Sequence, residues 1–142
     1  MQAMNTKIHI LIGLPGSGKT HLLNSLNVKF VDNVYDKYPW NFEQTIELIR
    51  GKEECAVSDV IFCETDNLEK FKGLVRNWEV HQYFFKNHPM ECKFNVIRRN
   101  GKKYLEQLAL IDRLSRNYVI PELGKNDKII PVYKDYENKK PN

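Results

Sequence analysis

Apolar positions along the chain follow two alternating periods. Residues 7–14, KIHILIGL, are a short apolar run rich in β-branched Ile8, Ile10 and Ile12, which predicts a buried strand. Leu22, Leu23 and Leu26 then recur at helical spacing. Val28–Val31 reads as a second strand ending at Asp32. Asn41, with Gln44 three residues on, has the form of a capping box for a helix carrying Phe42, Ile46 and Ile49 and closing at Gly51. The run Asp59–Cys63 is mostly apolar and predicts a third strand, closed by Glu64-Thr65-Asp66. Leu68, Phe71 and Val75 mark the next helix, Val80–Phe85 a fourth strand, and Asn87-His88-Pro89 opens a helix through Arg98. Tyr104–Tyr118 repeats Tyr104, Leu108, Ile111 and Ser115 at helical spacing and stops before Pro121. Lys128–Tyr133 is a last strand, placed at a sheet edge by Pro131, which cannot donate to a ladder.

Strands alternating with helices, five of each, predict an α/β fold. The expected architecture is three-layered, with a five-stranded parallel sheet flanked by helices. One domain over 1–142 is expected, with a lid at roughly 98–118 and a flexible polar tail at 135–142. Ligands should bind beyond the carboxyl ends of the strands.

Between the first strand and its helix stands Gly13-Leu14-Pro15-Gly16-Ser17-Gly18-Lys19-Thr20, a full match to the phosphate-loop pattern. Glycines at 13, 16 and 18 allow a turn whose backbone N–H groups cradle phosphate oxygens, and the following helix adds its positive dipole end. In such loops the lysine, here Lys19, reaches the β- and γ-phosphates, and the hydroxyl of Thr20 is placed for Mg²⁺. Gly13, Pro15, Gly16, Ser17, Gly18, Lys19 and Thr20 are therefore the candidate ATP-binding set.

Composition narrows the picture further. The chain has 142 residues, 42% hydrophobic, with a net charge of +4, too modest to make nucleic-acid binding the leading reading. Its longest apolar run is far short of the ~20 residues that span a bilayer, and no signal-peptide pattern is present, so a cytoplasmic location is expected. Three cysteines without paired spacing read as reduced thiols, and four histidines without ligand spacing exclude a structural zinc site.

The GTPase motifs Asp-x-x-Gly and Asn-Lys-x-Asp are missing, whereas an acid near the acceptor and a basic segment are present, which favours a small kinase. Val60-Ile61-Phe62-Cys63-Glu64-Thr65-Asp66-Asn67-Leu68, Arg99-Asn100-Gly101-Lys102-Lys103, Ile111–Tyr118 and Ile130–Lys134 extend the likeness beyond the phosphate loop. Together they resemble the P-loop kinases typified by the bacteriophage polynucleotide 5′-kinase, which group with zeta-toxin-like and small phage-encoded kinases. In a phage, the location would be the host cytoplasm.

The resemblance implies transfer of the γ-phosphate of Mg-ATP to a hydroxyl, either a polynucleotide 5′-OH or a nucleoside or nucleotide. The cofactors are then ATP and Mg²⁺; the partners are ATP and the acceptor, with no membrane and no obligate protein. Asp32 is the expected acceptor-side acid, with Asp36 as the alternative. Glu64 is expected to hold a Mg²⁺ water or the acceptor, or else to cap a helix. By position in this resemblance the lid cation falls near Lys103, where the family has an arginine; Arg99 is the expected replacement on the transferring group, and Arg98, Arg113 and Arg116 are further candidates on the triphosphate. Tyr35, Tyr38, Trp40 and Phe42 stand where an acceptor base could stack, or form part of the core. A nucleotide-binding module without turnover is the second reading.

Overall fold

The β-branched run near the start of the chain becomes the central strand, because residues covered on both faces must be apolar throughout. A computed structural model of the protein describes residues 6–99 and 101–134. β1 (Lys7–Ile12) pairs in parallel with β3 (Cys55–Ser58) on one side and β4 (Glu79–Phe85) on the other, with Ile10 opposite Val57 and Gln82. β2 (Lys29–Asp32) lies outside β3, and β5 (Lys128–Ile130) lies outside β4. The order is β2-β3-β1-β4-β5, and all neighbours are parallel. Helices α1 (Lys19–Ser25), α2 (Trp40–Gly51), α3 (Thr65–Leu74), α4 (Pro89–Arg99) and α5 (Tyr104–Ser115) fill the connections, giving the expected α/β architecture.

Strand alternation divides the core into two layers. Ile8, Ile10 and Ile12 face one side and pack with Leu68 and Phe71 of α3, Cys92 and Val96 of α4, and Ile111 and Leu114 of α5. Leu11 faces the other side, with Leu23 of α1, Ala56, Tyr83 and Phe85. Each fully buried aliphatic side chain contributes about 1.5–3 kcal/mol. The central strand is therefore held from both faces, and the loop that leaves it inherits a rigid base. Among the described residues no helix is long and apolar enough to cross a membrane.

Four expectations need correction. The third strand is Cys55–Ser58, and the apolar run read as a strand is instead a 3₁₀ turn, Val60–Cys63. Asp59 causes the change: its carboxylate accepts from the Ile61 N–H at 3.0 Å and caps that turn. Asn41 does not cap α2, which follows Pro39 without a side-chain cap; its amide donates to the Asn33 carbonyl at 3.0 Å and ties the helix back to the end of β2. The fifth helix ends at Ser115, after which the hydroxyl of Tyr118 donates to the carbonyls of Phe85 and Ile12 beneath the sheet's carboxyl edge. The last strand stops at Ile130, because Pro131 has no N–H to extend the ladder; its edge position is as expected. The tail assigned to 135–142 lies outside the described residues.

Candidate functional site

The loop after β1 is a tight turn closed by a hydrogen bond from the Ser17 N–H to the Leu14 carbonyl at 3.1 Å. Gly16 and Gly18 adopt φ of 79° and 108°, left-handed values that favour glycine. Both also lie against other backbone. A Cβ on Gly16 would collide with the Cys92 carbonyl oxygen of α4, and one on Gly18 would come within 2.6 Å of the Tyr133 Cβ. The loop is thus gripped between α4 and the segment that follows β5.

Asn95 completes this grip. It is fully buried on α4, and its side-chain amide donates to the Gly16 carbonyl at 2.8 Å and to the Tyr133 carbonyl. The Tyr133 N–H in turn donates to the Ser17 carbonyl at 3.0 Å, and the Tyr133 ring stacks on His21 at 4.4 Å between centroids.

Lys19 is 7% exposed and folds back into the loop, where Nζ donates to the carbonyls of Gly13 and Leu14, each at 2.8 Å. Burial pushes its pKa down; Cys63, Asp32, Cys92 and Asp59 oppose that shift. Thr20, beside it, donates from Oγ1 to Asp32 Oδ2 at 2.7 Å. The other carboxylate oxygen of Asp32 accepts from the Ser58 hydroxyl. One acid at the end of β2 is therefore fixed by the start of α1 and the end of β3.

Asp59, directly after β3, is a second buried carboxylate near Lys19. Burial pushes its pKa up, while the Ile61 and Tyr35 N–H groups and the charge of Lys19 pull it down. Its Oδ2 accepts from the Tyr35 N–H at 2.8 Å.

A cleft of about 760 Å³ opens above these residues. Pro15, Gly16, Gly18, Lys19, Thr20, Asp32, Asp36 and Arg99 line it, so the fold brings most of the sequence candidates together. Gly13 and Ser17 sit beneath, within the loop. Glu64 is exposed ahead of α3 and off the cleft, where it receives a weak contact from the Asn67 amide; once β3 ends at Ser58, the acid at the strand end is Asp59. Arg98, Arg113 and Arg116 are exposed and do not line the cleft, whereas Lys103, just before α5, does. Tyr35 lines the cleft and stacks on Phe42, but Tyr38 and Trp40 lie outside the lining.

Asp59, Asn95, His21 and Tyr133 escaped the sequence reading. Asp59 had a signal, the polar Ser58-Asp59 step after Cys55-Ala56-Val57, but the more apolar run behind it outweighed that step. The other three have no local signal, because each matters only through contacts between distant parts of the chain.

The donor set Thr20–Asp32 is all oxygen and suits a hard divalent cation held partly by phosphate. Among the described residues no cluster of three or more His, Cys, Asp or Glu is arranged to hold a metal by itself.

No protein-family profile matches the sequence. Uncharacterized protein R277 of Acanthamoeba polyphaga mimivirus is 30% identical over 139 residues, covering 92% of this chain and 100% of that protein. A gluconokinase from Sinorhizobium meliloti 1021 superposes with a TM-score of 0.62 at 12% identity, covering 92% of this chain and 85% of its own. A shikimate kinase from Bacteroides thetaiotaomicron gives 0.48 at 18% identity, over 89% and 86%, a likeness too distant to build on. The gluconokinase carries the P-loop kinase fold; it does not carry the narrower likeness to the phage polynucleotide 5′-kinase group. The fold is that of small P-loop kinases, and by sequence the chain belongs to the same family as mimivirus protein R277.

Proposed function

We propose that the protein is an ATP-dependent phosphotransferase that moves the γ-phosphoryl of Mg-ATP to a hydroxyl. The observation that carries this reading is the phosphate loop with Thr20 and Asp32 paired at 2.7 Å on the floor of an open cleft. Phosphoryl transfer asks a protein mainly for positioning and charge neutralisation, and those are what these residues supply.

Lys19 exchanges the Gly13 and Leu14 carbonyls for β- and γ-phosphate oxygens, which are better partners for a buried ammonium than neutral carbonyls. Thr20 and Asp32 would hold a magnesium ion, which would offset phosphate charge. Both oxygens of Asp32 already accept hydroxyl hydrogen bonds, so it suits a fixed ligand-orienting role. Asp36, exposed at the cleft four residues on, is the acceptor-side carboxylate. The acceptor oxygen attacks the γ-phosphorus, the bond to the β,γ-bridging oxygen breaks, and ADP leaves with that electron pair. The hydroxyl proton passes to Asp36. Arg99 and Lys103, brought over the cleft by α4 and the start of α5, neutralise the transferring group, and residues 98–118 act as the lid.

Transfer of labelled γ-phosphate from ATP to a panel of hydroxyl acceptors tests the reading. Acceptor-dependent ADP release that Lys19→Met abolishes supports it. Tight ATP binding with no transfer to any acceptor replaces it with a nucleotide-binding module.

A further inference from the structure

The sheet order places the two halves of the cleft apart. β1 and its phosphate loop are central; Tyr133, after β5, lies toward one edge, and the residues after β2 and β3 lie toward the other. The half beyond β2 and β3 is where an acceptor must enter, because the other half abuts the loop and Tyr133. Its lining comes from Asn33, Tyr35, Asp36 and Ile61, together with Glu106 and Gln107 of α5, which packs on the Val60–Cys63 turn.

We propose that the acceptor is an uncharged hydroxyl compound with a ring face, a sugar or a nucleoside, and that acceptors bearing a phosphate or carboxylate are excluded. The proposal rests on the phosphotransferase reading above and names the substrate class of that same site. Its basis is the charge of the cleft. Asp32, Asp36, Asp59 and Glu106 line the cleft together with Lys19, Arg99 and Lys103. The cations belong to the nucleotide. Lys19 lies inside the loop; Arg99 is one helical turn beyond Val96, whose side chain abuts Gly16; and Lys103 sits one turn ahead of the carboxylate of Glu106. A Mg-ATP dianion takes up these charges. Among the described lining residues of the acceptor half, the ionisable ones are acids and none is a lysine or arginine.

A phosphate placed there would meet Asp36 and Glu106, while Lys103, one turn from Glu106, is taken up by Mg-ATP. A hydroxyl finds carboxylate and amide acceptors in Asp36, Asn33 and Gln107, and Tyr35 with Ile61 and Leu110 offers apolar surface to a ring.

The test measures kcat/KM for the full chain with Mg-ATP and matched acceptors. The arms are nucleosides against their 3′-monophosphates, neutral hexoses against hexose phosphates, sugar-acid carboxylates, and a 5′-OH oligonucleotide. The neutral member of each pair is expected to lead by at least about tenfold, and whichever neutral arm is active identifies the source as sugar or nucleoside. Glu106→Gln, an exposed position, should narrow the gap about threefold to fivefold, as loss of one partly screened charge requires, and added salt should narrow it as well. Preference for the anionic member, or an unchanged ratio in both Glu106→Gln and high salt, overturns the acceptor assignment and leaves the kinase standing. No transfer to any arm removes the kinase reading itself, and the assignment with it.

Discussion

At the β1 end of the cleft, Lys19 is buried, the glycines touch α4 and Tyr133, and Asn95 pins two separate segments to one turn. At the β2 end, Asn33 and Asp36 are exposed, and Asp36 accepts a local bond from the Lys37 N–H at 3.0 Å. Both ends face the same space, but one is over-determined by packing while the other is a polar surface. The difference teaches how such a fold divides its work. A triphosphate has a fixed shape, and a rigid cradle avoids reorganisation when it binds. Acceptors differ in shape, and an exposed rim can vary without disturbing the core.

The contrast is sharpest at Lys19. Lys19→Met should weaken ATP binding about 100-fold by calorimetry, given the strength of charge-assisted hydrogen bonds. The same variant should shift the melting temperature by only a few degrees, because relief of the buried ammonium offsets the loss of its bonds to the Gly13 and Leu14 carbonyls. A large drop in melting temperature with normal ATP affinity would reverse the roles assigned to this end. Asp32→Asn comes next, with an expected loss of about 10–100-fold in activity and a raised magnesium requirement, as for residues that orient a metal shell.

Asn95→Ala tests whether the cradle depends on its clip. It strands two half-buried carbonyls at a cost of about 1–3 kcal/mol each, so melting should fall by about 5–20 °C with weaker ATP binding. Asp36→Asn probes the opposite end. It should lower kcat with the acceptor about tenfold, since a loose phosphoryl transition state asks little of its base, and leave the ATP dissociation constant within about twofold.

The smallest effect is alkaline. Burial pushes the thiols of Cys63 up to about 12 and of Cys92 and Cys55 up to about 11, from 9.0. A thiol whose folded pKa is raised contributes its full stability below its unfolded value, so that contribution should persist below about pH 9 and decline between about pH 9 and pH 12. Denaturant titrations across that range check the slope. Cys63→Ala should flatten it, and alkylation of the native protein at neutral pH should be slow.

The phosphate loop was legible from residues 13–20 alone because its requirements are local: glycine at positive φ, a lysine and a hydroxyl at set spacing after a buried strand. Periodicity likewise placed five strands and five helices to within a few residues, apart from the third strand. There the apolar run Val60–Cys63 outranked Cys55–Ser58, since burial in the centre of a sheet depends on neighbours and not on composition. That slip displaced the strand-end acid from Asp59 to Glu64. Which cations reach the cleft was equally hidden: Arg99 and Lys103 line it while Arg98, Arg113 and Arg116 do not, a choice made by the rotation and packing of α4 and α5. Asn95 stands 79 residues from Gly16 and 38 from Tyr133 in the chain, and no short-range rule could pair them. Short-range sterics and hydrogen bonding dictated the cradle; the parallel stacking of β3, β1 and β4 under α4 dictated what surrounds it.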